Sequence, residues 1–304
     1  MISYFYRGKK DKELQKSKVY RKGSWIYVTN PTQEELDFLC LTFTLEKDLL
    51  NDAMDPNEVP RMEEEGDVIY VFVQAPLHLQ SLGTTTHPVL MVVSPDFILT
   101  LSRSQVDFLE PFLKNKQTIL TTQRTKILIQ FWFALNDAYT RHLARIGKEL
   151  RKLSSDVQRV RVEDITRFVA YEKTASDFLV SLVPMRAIVQ SLLSEKHLRL
   201  YEEDRDLVED LFLAMGQLIE TSRSTHRHVV NIRESSSVIM TYHLNASIRT
   251  LTILTIVLSI PMILASFYGM NVALPFESAP WMFGAVIGIS LFAMGISFAF
   301  LFRK

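Results

Sequence analysis

The chain has 304 residues, long enough for two ordinary domains, and its 34 Lys and Arg are matched by 34 Asp and Glu. This balance excludes a net field that would draw the whole chain to nucleic acid or to an anionic surface. Cys40 is the only cysteine, which excludes an intrachain disulfide or a multi-cysteine metal site and fits a reducing compartment.

The opening "MISYFYRGKKDK" contains no apolar signal core. Next, "SWIYVTN" alternates as a strand does, and "NPTQEELDFLCLTF" carries a helix-start pattern, with Asn30 as the expected cap and Pro31 in the first turn. The runs "DVIYVFVQA", "HPVLMVVS" and "DFILTLS" are rich in β-branched residues and are separated by turn formers such as Gly83 and Pro95. Residues 1–118 are therefore expected to form a mixed α/β domain. No Gly-rich phosphate loop, nucleophile elbow or paired metal-ligand motif occurs in it, so nothing points to an enzyme.

Residues 119–245 read as long helices. From Thr125 to Pro184 apolar residues recur at spacings of three and four among many Lys, Arg and Glu. A third stretch begins near Glu202 and meets no proline until Pro261, so one helix is expected to enter the membrane unbroken, reaching tens of ångströms into the cytoplasm at about 1.5 Å per residue. Its His226 and His228 alternate, which puts them on different helix faces and makes them an exposed polar surface rather than a ligand pair.

Charge disappears near the C-terminal end. From Thr250 to Phe302 the only charged residue is Glu277, and a bilayer span needs about 20 apolar residues. Two membrane helices are predicted, over 246–268 and 281–302, joined by an outer loop at 269–280 and followed by a basic tail at 303–304. The loop lacks Lys and Arg while both flanks carry them, which places both termini in the cytoplasm.

In the first span Asn245, Ile248, Thr252, Thr255, Ser259, Met262 and Ser266 follow one another at alternating steps of three and four, so they share one stripe. Ser and Thr in lipid also bond their own helix carbonyls or tie helices together. The common register of the set instead suggests that copies of the helix surround water. The second span carries Gly284, Gly288 and Gly295, which permit close helix packing and suit an outer support.

At the outer end of the stripe stands "YGMN". With two spans near the C terminus, an aromatic just before the glycine and a helical cytoplasmic region upstream, this resembles the CorA family of divalent cation transporters, whose signature is Gly-Met-Asn at that place. Gly269, Met270 and Asn271 match it. The resemblance covers nearly the whole chain: "WIYVTNPTQEEL" is similar to the family's early strand and helix, "KDLLNDAMDPNEVPRMEEEGDVIYVFV" to its acidic helix leading through Pro60 and Arg61 into a strand, and "VEDLFLAMGQLIET" to its stalk helix.

The resemblance implies a funnel-shaped homopentamer of α+β cytoplasmic domains with long stalk helices and two C-terminal membrane helices. It implies an integral protein of the cytoplasmic (inner) membrane of a prokaryote that passes Mg2+, with Co2+ or Ni2+ as further cargo, and uses no organic cofactor or nucleic acid. Gly269, Met270 and Asn271 would form the selectivity filter. Magnesium holds its water shell tightly, so neutral amides that bond the waters allow quick release where carboxylates would retain the ion. Gly269 would let the backbone turn and present its carbonyl, with Tyr268 or Phe267 as a buttress, while Met270, a poor partner for a hard cation, would pack.

Further in, the resemblance makes Asn245 the inner polar position of the pore and puts Ile248, Leu251 and Met262 at its hydrophobic constriction. Glu234 stands at the cytoplasmic mouth, where the family tends to have Asp. Asp48 and Asp210 match the positions at which Mg2+ bridges neighbouring cytoplasmic domains, so its departure would let the acids repel and the pore open. The loop "VALPFESAP" departs from the family's usual Met-Pro-Glu-Leu, with Pro275 and Glu277 displaced; Glu277 remains a candidate acidic ring at the mouth. Two alternatives stay open: a Zn2+ transporter of the same fold, and a membrane-tethered sensor or scaffold.

Overall fold

Seven strands, β1 (Ile2–Tyr6), β2 (Gln15–Ser17), β3 (Trp25–Thr29), β4 (Arg61–Glu65), β5 (Val68–Leu79), β6 (Gly83–Val93) and β7 (Ile98–Ser102), form one sheet in the order β2-β1-β3-β7-β6-β5-β4. β3 and β7 run parallel, with Trp25 opposite Ile98, and every other pairing is antiparallel. These coordinates, a computed structural model, describe residues 1–79, 83–154, 162–194, 200–271 and 279–302. The chain divides into two units, Met1–Arg233 and Glu234–Lys304.

Both faces of the sheet in the first unit are covered, which is why its strands read as continuous apolar runs. Tyr70, Phe72, Leu90, Val92, Leu99 and Leu101 face a core completed by α1 (Gln33–Phe43) and α2 (Lys47–Asp52). Ile69, Val71, Val73, Val89 and Met91, one residue out of step, face the opposite core. A 3-10 turn at Asp107–Leu109, α3 (Glu110–Leu113), α4 (Arg124–Ser154), α5 (Val162–Leu193) and the beginning of α6 (Glu202–Tyr268) complete that side. Buried polar groups add ties within and between layers: Trp25 Nε1 donates to Thr100 Oγ1 on the neighbouring strand at 2.9 Å, and the Tyr139 hydroxyl of α4 donates to the Gln74 carbonyl of β5 at 2.8 Å.

The start of α1 differs from the sequence expectation. The cap is Thr32 rather than Asn30: Thr32 Oγ1 accepts from the Glu35 amide while the Glu35 carboxylate accepts from the Thr32 amide. Asn30 has a φ of 43° and sits in the turn before it, a conformation its short amide tolerates. The Pro60–Arg61 pair leads into β4 as expected. There Arg61 bonds Asp52 at 2.7 Å, pairs with Glu58 and Glu63, and stacks over Phe72 at 4.1 Å.

Among the described residues three helices are long and apolar enough to cross a membrane: the 164–193 part of α5, α6, and α7 (Met282–Phe302). Burial separates them. α5 buries 39% of its apolar window inside the protein, against 11% for α6 and 6% for α7. The apolar surface of α5 is used by the sheet unit, whereas the windows of α6 and α7 leave theirs for another solvent.

Candidate functional site

Within the second unit α6 has two distinct faces. Ile253 and Val257, one turn apart, are only 6% and 5% exposed, and Ser290 of α7 is buried as well. The stripe of Asn245, Ile248, Thr252, Thr255, Ser259, Met262 and Ser266 is exposed throughout except at Ser259, which is half-buried. At 3.6 residues per turn the stripe centres about 150° around the helix from the Ile253–Val257 line. One side of the helix is thus buried at Ile253 and Val257, and its hydroxyl-bearing side is left uncovered.

The hydroxyls on that side have already spent their protons. Thr252 donates to the Ile248 carbonyl at 2.9 Å, Thr255 to that of Leu251 at 2.9 Å and Ser259 to that of Ile256 at 2.7 Å. Each oxygen therefore offers its remaining lone-pair capacity outward. Ile248, Leu251 and Met262 are also exposed on this part of the helix.

α6 ends at Tyr268, after which the Gly269 amide donates to the Ala265 carbonyl at 2.9 Å and the Met270 amide to that of Phe267 at 3.4 Å. Gly269 does not adopt a left-handed backbone. Its contribution is space: a Cβ added here would lie 3.3 Å from the Ala265 carbonyl oxygen. Met270 and Asn271 are exposed beyond the helix end. Pro275 and Glu277 lie outside the described residues. A groove of about 740 Å3 between the C-terminal part of α6 and α7, lined by Pro261, Ala265, Tyr268, Phe283, Ile287 and Leu291 among others, is mainly apolar and lies off the stripe.

Asp48 is exposed in the first turn of α2, Asp210 is exposed on α6, and so is Glu234. Among the described residues no three His, Cys, Asp or Glu converge on a point that could hold a metal ion. A single chain brings the stripe residues onto one face, and it does not assemble the acids into a cage. Sequence reasoning passed over a pocket of about 170 Å3 around Tyr171, whose lining is drawn from β6, α4 and α5.

A sheet unit with helices on both faces is thus followed by two helices long and apolar enough to cross a membrane, the first of which has a hydroxyl-lined side. Residues 21–304 match the family described as CorA-like Mg2+ transporter protein, and the chain belongs to that family. It is 25% identical over 292 residues to the cobalt/magnesium transport protein CorA of Methanocaldococcus jannaschii, covering 92% of this chain and 90% of that one. The complete structure of the CorA magnesium transporter from that organism has the same fold, with a TM-score of 0.81, 22% identity and coverage of 100% and 98% of the two chains. The full-length CmaX protein shares it too, with a TM-score of 0.71, 14% identity and coverage of 98% and 97%.

Proposed function

We propose that this protein is a divalent cation channel that admits Mg2+ to the cytoplasm, accepting Co2+ or Ni2+ in the same path. The carrying observation is the exposed stripe of acceptor oxygens on α6, set opposite its packing face and leading to Gly269-Met270-Asn271. A hydrated magnesium ion presents water hydrogens outward, so a wall of acceptors suits it better than a wall of donors. The membership of the family and the cargo named for the Methanocaldococcus jannaschii relative support the same ion class.

One helix cannot enclose water, so the path requires several copies, and a homopentamer in the cytoplasmic membrane of a prokaryote with both termini inside is the assembly we assign. Asn271 amides at the outer rim bond the ion's water shell; Asn245 repeats that contact further in. Ile248, Leu251 and Met262 form an apolar constriction that closes by dewetting. Glu234 attracts cations at the inner mouth, and Glu277 does so at the outer one. Mg2+ shared by Asp48 and Asp210 of adjacent copies holds the closed state; when cytoplasmic Mg2+ falls, the freed carboxylates repel and the open state gains.

Purified protein in vesicles carrying a magnesium-sensitive dye tests the proposal. External Mg2+ should raise the internal signal down its gradient, Co2+ and Ni2+ should compete, and a transmembrane pH difference should not be needed. Preferred passage of Zn2+ driven by protons would replace this account with a zinc transporter, and vesicles closed to all these ions would leave a membrane-tethered sensor.

A further inference from the structure

Charge in the first unit is separated along the sheet, although the chain as a whole is neutral. Residues 7–22, which include β2, hold eight Lys and Arg against two acids, and residues 114–126 hold four Lys and Arg and no acid. Hydrogen bonds join these two segments. The Leu14 amide donates to Asn115 Oδ1 at 2.7 Å, the Arg7 amide to Thr121 Oγ1 at 3.0 Å and the Thr121 amide to the Arg7 carbonyl at 3.0 Å. Residues 52–67, from the end of α2 to the turn after β4, hold seven Asp and Glu against Arg61 alone. Arg61 gathers this segment through Asp52, Glu58 and Glu63.

β2 and β4 are the two edges of the sheet. Six steps between strands at about 4.8 Å place them roughly 29 Å apart, several Debye lengths at physiological salt, so neither edge neutralises the other within one chain. In the basic set Lys22 pairs with Asp96 and Lys114 with Glu110. Lys9, Lys10, Lys12, Lys16 and Lys18 at one edge, and Asp55, Glu65 and Asp67 at the other, are exposed and form no ion pair among the described residues. Charge of either sign keeps a foreign strand from adding to an edge, so protection alone does not call for opposite signs. Like signs at the two edges would keep copies apart, whereas opposite signs draw them together.

We propose that the first units of neighbouring copies meet head to tail, with the lysine edge at β2 of one copy against the carboxylate edge at β4 of the next. The contact is made by side chains and does not extend the sheet. A two-fold contact would set like charge against like, while a head-to-tail contact pairs unlike edges and, repeated by rotation, closes a ring. Asp48, assigned above to a metal shared with the adjacent copy, lies on α2, which the Asp52–Arg61 pair joins to β4. Exposed ion pairs are individually weak and are screened by salt, so they set the register and direction of the ring rather than hold it alone. The inference rests on the reading that several copies surround one ion path, and it adds which surfaces of the first unit face each other.

Carbodiimide cross-linking of the full-length protein in detergent tests it, with the size of the assembly measured on the same sample. The reagent joins a lysine amine to a touching carboxylate and leaves no spacer. The two edges of one chain are too far apart to be joined, so a link from residues 9–18 to residues 63–67 comes from two copies. Such links should form at low salt and fall by at least about fivefold at roughly 0.5 M salt. Lys16→Glu with Lys18→Glu should lose the links at those positions, and adding Glu65→Lys with Asp67→Lys should restore them, with amine and carboxylate exchanged between the edges. An assembly of several copies without these links, or a fourfold variant that does not recover them, overturns the proposal and leaves the ion path standing. A single-copy protein removes the proposal and the ion path together.

Discussion

Thr255 Oγ1 lies 2.9 Å from the carbonyl oxygen of Leu251, one turn back along α6, so its proton points into the helix and its oxygen points out. Thr250 makes the same bond, to Ala246 at 3.0 Å, but lies outside the stripe. The pair separates two roles for a membrane threonine. If the hydroxyl serves only its own helix, Thr255→Val and Thr250→Val should act alike. If it lines the ion path, Thr255→Val should cut Mg2+ flux by about fivefold, the worth of roughly one net hydrogen bond, while Thr250→Val leaves flux near the parent value. Vesicle flux assays on both variants decide the matter.

Asp48 and Asp210 are both exposed, and neither belongs to a metal cage among the described residues of one chain. Regulation by shared Mg2+ therefore predicts that Asp48→Asn combined with Asp210→Asn leaves conduction intact and removes its dependence on internal metal. Flux at high internal Mg2+ should rise in the double variant by about tenfold, a coupling of about 1.4 kcal/mol within the usual allosteric range. A variant that still shuts as internal Mg2+ rises would remove these residues from the switch.

The membrane half was legible because lipid imposes one rule, that long spans be apolar, and departures from it stand out. Thr252, Thr255 and Ser259 could be placed on one stripe from spacing alone, but which side of the helix is covered shows only in the burial of Ile253 and Val257. Sequence reading also assigned β3 from its alternation and β5, β6 and β7 from their β-branched runs. It passed over β1, whose "ISYFY" lacks alternation, and β2, three residues long with polar side chains. Asn30 and Thr32 are both good caps, and the reciprocal Thr32–Glu35 hydrogen bonds, with the φ of 43° at Asn30, decide between them. The pocket at Tyr171 draws on β6, α4 and α5, and no local window contains it.

His87, on β6, is 8% exposed and neither ring nitrogen has a well-formed hydrogen bond. Burial holds its pKa below the ordinary histidine value, with the Ala75 carbonyl and the Asp107 carboxylate offsetting this only in part. The folded chain keeps the ring neutral while the unfolded chain protonates it near pH 6.5. Stability is then intact above that pH and is lost as pH falls toward the folded pKa, with a slope of up to about 1.4 kcal/mol per pH unit. Thermal unfolding midpoints measured between pH 7.5 and 5 should fall more steeply for the parent than for His87→Leu. Equal slopes would contradict this.

The central claim is that copies of α6 surround water and that Asn271 reads the hydrated ion at the outer rim. Its most direct test is the Mg2+ flux of vesicles containing Asn271→Ala beside vesicles containing the parent, with assembly confirmed to be equal by size. The account predicts that the parent conducts Mg2+ and that Asn271→Ala loses the flux or its preference for Mg2+ over competing divalent cations. Equal flux and equal selectivity in the two would contradict it.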